Sequence, residues 1–376
     1  MPQLILILSL GEPCQIDEET WGKCAHISRC LSSFVDLQKK IHPVICSFQS
    51  REPVVCCPDC ELVNDTRTVL VSNDGAVFFQ SGQKARDKCI EHLLHLPSSC
   101  YTKGMEGSWD SNKQCQKYER KGNIGSSVAV GGKDAKRSDY THMALLGYGY
   151  DRDSAQWQCG GSLISEKFVL TAAHCISDSV LGPVSFVALG ILKRTDPDNL
   201  WHTYDVKRFI SHPEYRSPSK YHDIALLETV QPVKYTKDVF PACLDETMED
   251  QRRAIATGWG RLGKNKPLAD NLQEVTLERF SDEKCLKLFP PYRLLEFGYQ
   301  ANMQMCYGDE NQPRDTCEGD SGGPLLVKSQ ISDCLHTVIG VTSYGKTCGY
   351  LGDAGMYTRV YYYVPWIESV VWPGPY

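Results

Sequence analysis

Short apolar segments alternate with polar and glycine positions along most of the chain after residue 128. Ser162–Ser165, Lys167–Leu170 and Thr337–Val341 each place aliphatic or aromatic residues between such positions. Segments of this length and composition are typical of β-strands. Asp223–Leu227 opens with an acid and continues as an apolar run, which is typical of a buried strand. The pattern therefore predicts an all-β fold for this part of the chain.

Two segments show helical spacing instead. Tyr361–Val371 has apolar residues three and four positions apart, which predicts a C-terminal helix. Asp87–Leu96 spaces isoleucine and leucine in the same way and predicts one short helix. The surrounding residues 58–128 lack hydrophobic periodicity and are rich in turn-forming residues, so we predict that they form a linker and pro-segment. Asn64 opens a glycosylation sequon in this linker, although such triplets also occur by chance.

Residues 1–11 contain an apolar run from Leu4 to Leu10 without the usual basic start of a signal peptide. A truncated signal peptide is one interpretation, and an apolar N-terminal strand is the alternative. No window contains the roughly eighteen consecutive apolar residues of a membrane helix, so we expect no membrane partner. The net charge of −6 does not favour binding to nucleic acid.

The chain contains 18 cysteines in 376 residues, an even and high count. Such usage is typical of an oxidising compartment, so we expect a secreted, extracellular protein. Six cysteines fall within residues 14–57, a segment too small to be stable without cross-links. The adjacent pair Cys56-Cys57 argues against a zinc site. Cys57-Pro-Asp-Cys60 has zinc-like spacing, but no second pair or histidine cluster completes it, so we predict no metal and no cofactor.

The segment Asp315–Pro324 combines Ser321 with three nearby glycines. Gly319, Gly322 and Gly323 have no Cβ and can adopt the positive φ values that turn successive amides toward one point. We predict an oxyanion hole there, with the amides of Gly319 and Ser321 as donors.

A serine hydroxyl needs a histidine base and a carboxylate that orients it. His174, in Thr171-Ala-Ala-His-Cys, supplies the base, and Asp223 supplies the acid. Taken singly, each motif is more often a glycine-rich turn or a structural histidine. The three in the order His174, Asp223, Ser321 predict a catalytic triad.

At these residues the chain from about Ala129 to its end resembles the chymotrypsin-like serine proteases. Ala129-Val-Gly-Gly is similar to the mature N-terminus of that family. The resemblance implies a double β-barrel with a C-terminal helix and the active site between the barrels. Residues 14–57 resemble the clip domain that precedes arthropod serine proteases, and residues 129–376 would be the trypsin-like protease domain.

Both resemblances imply disulfides. In the clip domain they imply bonds from Cys14 to Cys56, Cys24 to Cys46 and Cys30 to Cys57. In the protease domain they imply bonds from Cys159 to Cys175, Cys285 to Cys306 and Cys317 to Cys348. A cysteine placed like Cys243 commonly binds the pro-segment; we predict Cys115 as its partner, with Cys100 or Cys89 as the alternative. The pairing of Cys60, Cys89, Cys100 and Cys334 stays unassigned.

The family's specificity residue lies six positions before the nucleophile, which is Asp315 here. An acid there implies cleavage after arginine or lysine, with Gly345 and Gly355 as the pocket walls. The alternative is that Asp315 is a solvated loop acid. Ile191 occupies a position where trypsin-like enzymes often have an acidic calcium ligand, so we predict no calcium site there; Asp196 and Asp198 leave a different one open.

Activation in the family frees an α-ammonium that pairs with the aspartate before the nucleophile, here Asp320. The register puts the new terminus at Ala129 and the cleaved bond after Val128, an apolar residue. We therefore expect trypsin-like enzymes to activate this zymogen poorly.

Together these features predict a secreted clip-domain protease zymogen that acts in an extracellular immune or developmental cascade. Its expected partners are a protein substrate such as another zymogen, an upstream activating protease and a serpin-type inhibitor. The alternatives are a non-catalytic homologue that acts as a binding cofactor and a digestive trypsin-like protease. The intact triad argues against the first, and the clip-like domain argues against the second.

Overall fold

The computed structural model describes residues 11–16, 21–26, 30, 33, 43–49, 52–58, 70–71, 77–78, 82–93, 132–263, 266–312, 317, 319–329, 335–345 and 351–374. The chain divides into two compact units. The first comprises residues 1–80 and 97–124, and the second comprises residues 81–96 and 125–376.

The first unit contains a four-stranded antiparallel sheet in the order β1-β2-β4-β3. Its strands are β1 (Pro13–Gln15), β2 (Trp21–His26), β3 (Ile45–Gln49) and β4 (Glu52–Cys57), and β5 (Leu70–Val71) pairs separately with β6 (Val77–Phe78). The buried residues around this sheet are mainly cysteines with Val54 and Val55, so disulfides replace much of the apolar core. The three clip-domain pairings are confirmed: Cys14–Cys56, Cys24–Cys46 and Cys30–Cys57.

The second unit contains two closed six-stranded barrels, which confirms the predicted double barrel. It begins with helix α1 (Gln83–Leu93) and the short strand β7 (Lys133–Asp134). The first barrel consists of β8 (Met143–Tyr148), β9 (Gln156–Leu163), β10 (Phe168–Thr171), β12 (Gly182–Leu189), β13 (His202–Ser211) and β14 (Ala225–Thr229), with β11 (Ser177–Asp178) paired to β12. Pairing between β12 and β8 closes it.

The second barrel closes through β20 and β21. Its strands are β16 (Arg253–Gly258), β17 (Gln273–Arg279), β18 (Gln304–Gly308), β19 (Pro324–Lys328), β20 (His336–Gly345) and β21 (Ala354–Arg359), with β15 (Cys243–Leu244) paired to β20 and β7 to β17.

The apolar runs of the sequence become the strands with the most burial. Every residue of β8, β10 and β14 is buried, which explains why these strands are almost continuously apolar rather than alternating. The charged residue of β14, Glu228, pairs with Lys207 and Arg208 on β13. The predicted strand at Asp223 begins two residues later than expected, at Ala225.

Both predicted helices are present. The predicted C-terminal helix is α3 (Val360–Val371), which buries Val364, Ile367 and Val371 in the core. A further helix that was not predicted, α2 (Asp282–Leu288), begins after Ser281, whose hydroxyl accepts a hydrogen bond from the Lys284 amide. The helix expected at Asp87–Leu96 is α1, which starts earlier, at Gln83. No described helix is long and apolar enough to cross a membrane.

Helix α1 packs against β15 and α3 within the second unit and corrects one prediction. Cys89 of α1 forms the disulfide with Cys243, so the predicted partner Cys115 is wrong and the alternative Cys89 is correct. The Glu368 carboxylate of α3 accepts the amides of Ala85, at 2.8 Å, and Gly82, at 3.3 Å. These amides are at the N-terminus of α1, where a carboxylate satisfies unpaired donors and the helix dipole.

Candidate active site

Ser321 lies in a tight turn directly before β19. Gly319 and Gly322 on either side have φ values of +98° and +76°, as glycine permits. A Cβ on Gly322 would lie 2.2 Å from Thr171 Oγ1 and 2.6 Å from the Gly160 carbonyl oxygen, so only glycine fits there. The Gly160 amide donates to the Ser321 carbonyl oxygen at 2.8 Å. The Ser321 turn therefore packs directly onto β9 of the first barrel.

Gly323 differs from the expectation, because its φ is not in the left-handed region. The residue is needed for space instead. A Cβ there would lie 2.9 Å from the Asp320 carbonyl oxygen and 3.1 Å from that of Thr257. Two glycines bend the turn, and the third lets it pack.

The amides of the turn fall into two groups. In the first group, the Asp320 amide donates to the Cys317 carbonyl oxygen, the Gly322 amide to that of Thr342 and the Gly323 amide to that of Asp320. Within the described residues, the amides of Gly319 and Ser321 donate to no protein acceptor. Buried or half-buried amides are usually paired, so two free donors in one turn are available to an incoming oxyanion.

His174 lies in a 3₁₀ turn, Ala173–Cys175, that follows β10. The disulfide between Cys159 and Cys175 is confirmed and fixes this turn to β9. Cys159 is adjacent to Gly160, whose amide binds the Ser321 turn. The two candidate catalytic turns are therefore attached to neighbouring residues of one strand.

Asp223 is buried beside His174. Its Oδ2 lies 2.8 Å from His174 Nδ1, and its Oδ1 accepts the His174 amide at 2.9 Å. The Ser343 hydroxyl also donates to Oδ2, and Thr358 Oγ1 donates to the Asp223 carbonyl oxygen at 2.9 Å. Burial alone would raise the pKa of Asp223, but the His174 charge and the hydrogen bonds from His174 and Ser343 outweigh it and hold the pKa below its usual range.

His174 and Asp223 are thus in direct contact, whereas Ser321 is connected to His174 only through β9, to which both of their turns are attached. In the part of the chain that the structure describes, no hydrogen bond links Ser321 Oγ to His174 Nε2, and the contact of Nε2 is Cys175 Sγ at 3.7 Å. Catalytic hydrogen bonds are often long before substrate binds and shorten in the complex.

Asp320 accepts two backbone amides, from Gly260 to Oδ1 and from Cys317 to Oδ2, both at 2.8 Å. A Cβ on Gly258 or Gly260 would lie within 2.5 Å of Asp320 Oδ1, so these glycines make room for the carboxylate. Burial raises the pKa of Asp320 to about 6, because the two amides offset only part of the desolvation. No lysine, arginine or histidine among the described residues pairs with it.

The predicted pocket is described in part. Gly345 of β20 and Gly355 of β21 are direct cross-strand partners. Asp315 and Cys348 lie outside the described residues, as do Val128 and Ala129 of the predicted activation site. Cys317 is disulfide-bonded, and the Cys285–Cys306 bond is confirmed.

Three groups of described side chains have donor atoms close enough to hold a metal. Two of them contain disulfide sulfurs, which are not thiolate ligands: Cys14, Cys24 and Cys46 form one, and Cys159, His174 and Cys175 the other. The third is His212, Glu214 and His222. There, His212 Nδ1 accepts the Glu214 amide and His222 Nδ1 contacts the Tyr363 hydroxyl, so protein groups already use these ring nitrogens.

Asp196, left open as a calcium ligand, is satisfied by protein donors. Its Oδ2 accepts from Arg137 at 2.7 Å and from the amides of Leu192 and Lys193 at 2.8 and 2.9 Å. Burial would raise the pKa of Asp196, but these donors outweigh it and lower the pKa. Arg137 supplies the positive charge that pairs with this carboxylate.

No sequence motif identifies Ser343 and Thr358 as site residues. Both approach Asp223 because β20 and β21 of the second barrel reach the first barrel at this point. Ser343 carries no motif of its own, and the only signal for it was its place in Ser343-Tyr-Gly, before a predicted pocket glycine.

Comparison with known proteins shows the family to which the chain is similar. The family model for trypsin matches residues 129–367. Serine protease snk of Drosophila melanogaster is 33% identical over 93% of this chain and 76% of its own length. Venom serine protease Bi-VSP of Bombus ignitus is 30% identical over 94% of this chain and 91% of its own length. CLIP domain-containing serine protease C9 of Anopheles gambiae is 28% identical over 96% and 85%.

Proposed function

Because the chain belongs to the trypsin family of serine proteases and carries the cysteine-rich domain of its arthropod clip-domain members, we propose that it is a secreted zymogen of a trypsin-like endopeptidase. The observation that carries the proposal is the 2.8 Å contact between His174 Nδ1 and the buried Asp223 carboxylate, next to a serine turn with two free amides.

The proposed chemistry follows from that contact. Asp223 accepts a hydrogen bond from the Nδ1–H of His174, which holds the imidazole in the tautomer whose Nε2 lone pair can take the proton of Ser321. Ser321 Oγ then attacks the scissile carbonyl, and the amides of Gly319 and Ser321 bind the oxyanion. His174 returns the proton to the leaving amine, and water hydrolyses the acyl-enzyme by the same steps.

Specificity for arginine or lysine rests on Asp315. A carboxylate at the base of a pocket binds a cationic side chain, and Gly345 and Gly355, which are cross-strand partners, carry no side chain that would fill the pocket.

Activation rests on Asp320. Its carboxylate is desolvated without a partner cation among the described residues, and an α-ammonium at Ala129 would supply one. The pairing would fix the turn that carries Gly319 and Ser321.

A role in an extracellular cascade is supported by the three-disulfide clip domain and by the covalent attachment of α1. Disulfides of this number persist outside the cytosol. We propose another protease zymogen as the substrate, an upstream protease as the activator and a serpin-type protein as the inhibitor.

The test is hydrolysis of an arginyl peptide amide by activated protein. Ser321→Ala should lower turnover by a factor on the order of 10⁶, because triad members act as a unit. Ser154→Ala, in an exposed loop, is the matched control and should retain full activity. A correctly folded wild-type protein with no activity after activation would favour the non-catalytic alternative. Incubation with candidate zymogens and sequencing of the new N-termini would separate a cascade enzyme from a digestive one.

A further inference from the structure

We propose that Lys220, held over the ring of Tyr344, forms a subsite for an acidic side chain of the substrate on the amino-terminal side of the cleaved bond. This inference rests on the proposed function and adds a second charge preference to it.

Lys220 and Tyr344 are both close along the chain to residues of the candidate site. Lys220 precedes Asp223 by three residues, and Tyr344 directly follows Ser343, whose hydroxyl binds Asp223. The Lys220 Nζ atom lies 5.2 Å from the centroid of the Tyr344 ring. An ammonium at this distance is attracted to the ring face. The pair therefore places a positive charge next to the candidate catalytic residues.

Hydrogen bonds fix the backbone of Lys220 relative to Tyr344. The Lys220 amide donates to the Leu294 carbonyl oxygen at 2.9 Å. Gln304 Nε2 donates to the Lys220 carbonyl oxygen at 3.1 Å and lies 3.4 Å from the Tyr344 hydroxyl. The side-chain amide of Gln304 thus connects the Lys220 backbone to the Tyr344 hydroxyl. This connection fixes the positions of Lys220 and Tyr344 relative to each other.

The charge of Lys220 has no carboxylate partner among the described residues. Other lysines on this domain do: Lys207 pairs with Glu228 at 2.7 Å, and Lys284 pairs with Glu310 at 2.8 Å. A half-buried cation above an aromatic ring is partly desolvated, which strengthens its attraction to an anion. An acidic side chain is the chemical class that complements it.

The backbone near Tyr344 explains how a substrate would reach this charge. Pairing of β20 with β19 ends at Val341, whereas pairing with β21 continues to Gly345. Residues Ser343–Gly345 therefore have one strand edge without a partner strand among the described residues. An extended peptide can add to such an edge as a further strand. With the cleaved arginine in the pocket beside Gly345, the residues before it would pass Tyr344 and Lys220.

The experiment measures kcat/KM for peptide amides whose last residue is arginine. The peptides differ only in the residues before this arginine, which are glutamate, glutamine or lysine. For wild-type protein, kcat/KM should be about tenfold higher with glutamate than with lysine at low salt, since the attraction of one partly desolvated charge pair corresponds to a ratio of about this magnitude. The preference should shrink at high salt, where the charges are screened. Lys220→Glu should reverse the order, and Lys220→Gln should abolish it.

Lys234→Glu is the control, because it makes the same change of net charge at an exposed position and should leave the order unchanged. The thermal unfolding midpoint of each variant shows whether it folds. Equal kcat/KM values for all three peptides with wild-type protein, or an unchanged preference in Lys220→Glu, would overturn the subsite. An arginine ester without preceding residues separates the two proposals: its hydrolysis with no peptide preference contradicts only the subsite, and no hydrolysis of any substrate contradicts the proposed function.

Discussion

Ser343 Oγ and His174 Nδ1 share one oxygen of Asp223, its Oδ2. Asp223 precedes a strand of the first barrel, and Ser343 belongs to a strand of the second. The candidate catalytic acid is therefore oriented from both barrels, and its position depends on how they pack together.

We expect Ser343→Ala to lower kcat/KM for an arginyl peptide by about tenfold or more, because hydrogen bonds to a charged group contribute about 1.5–3 kcal/mol. The pKa of Asp223 should rise, since the hydroxyl helps to lower it, and activity should then begin to fall at a higher pH during acidification. The measurement is the pH profile of kcat/KM. Ser165→Ala, at another buried serine, is the control. An unaltered profile would show that Ser343 does not support Asp223.

Asp315→Ser should weaken cleavage after arginine far more than cleavage after large apolar residues. Removing one member of a desolvated charge pair with the substrate costs roughly 2–5 kcal/mol. Competition between arginyl and leucyl peptides gives the ratio of kcat/KM values directly. Asp153→Ser, in an exposed loop, should keep the preference of the wild-type protein. If Asp315→Ser keeps it too, the specificity lies in other residues.

Cys89→Ser should release the clip-containing chain after activation. Wild-type activated protein should give one band in non-reducing electrophoresis and two after reduction, because Cys89 is bonded to Cys243. The variant should give two bands under both conditions. Cys115→Ser should behave like the wild type in this assay. Two non-reduced bands from activated wild-type protein would show that this bridge is absent.

The buried pair His142 and His336 should make the fold sensitive to acid. Their rings lie 5.5 Å apart, and His336 also lies 5.0 Å from the ring of Tyr140. Burial, assisted by the charge of Lys328, lowers the pKa of His336 to about 4, and burial together with the charge of His336 lowers the pKa of His142 well below its usual range. The unfolded chain thus binds protons that the folded chain excludes.

The sign follows from this difference. For His336, stability should be fully present above the ordinary histidine pKa of about 6.5 and should fall as the pH drops from there to about 4, by up to about 3 kcal/mol. Urea unfolding of Ser321→Ala protein, which cannot digest itself, measures the slope. His336→Phe in the same background should flatten it. A slope that persists in His336→Phe would move the acid sensitivity to other groups.

The site residues that belong to local sequence motifs could be predicted from the sequence. The motifs around His174 and Asp223 predict that these two residues form the base and acid, and the two side chains are in contact. The glycines around Ser321 predict a left-handed backbone, which Gly319 and Gly322 adopt. Ser343 could not be predicted as a site residue, because its contact depends on two strands that are distant along the chain.

The partner of Cys243 shows why proximity along the chain is a weak guide. Cys115 is the cysteine nearest upstream of the predicted cleavage site, but loop-closure entropy changes only slowly with loop length. Packing decides instead. Glu368 binds the first amides of α1, and this places Cys89 beside β15.

The activation bond gives the final prediction. Proteolysis after Val128 should produce the active enzyme, because it places the α-ammonium of Ala129 in register to pair with Asp320. Trypsin-like proteases should activate the wild-type zymogen poorly, since the residue before the cut is apolar, whereas a protease that accepts small apolar residues should activate it. Val128→Arg should become sensitive to trypsin and yield the same N-terminus.

Asp320→Asn tests the pairing itself. The Asp320 carboxylate accepts only the Gly260 and Cys317 amides among the described residues, and burial raises its pKa to about 6, so an arriving cation would relieve its desolvation. Losing one partner of a buried pair costs about 3–5 kcal/mol. Asp320→Asn should therefore be cleaved at the same bond but remain largely inactive. Amino-terminal sequencing decides the register: Ala129 at the terminus of active enzyme is the expected result. Cleavage at Arg120-Lys121 would leave an extension of several residues that does not fit the same pocket, so a fully active form that begins at Lys121 or Gly122 would contradict the prediction.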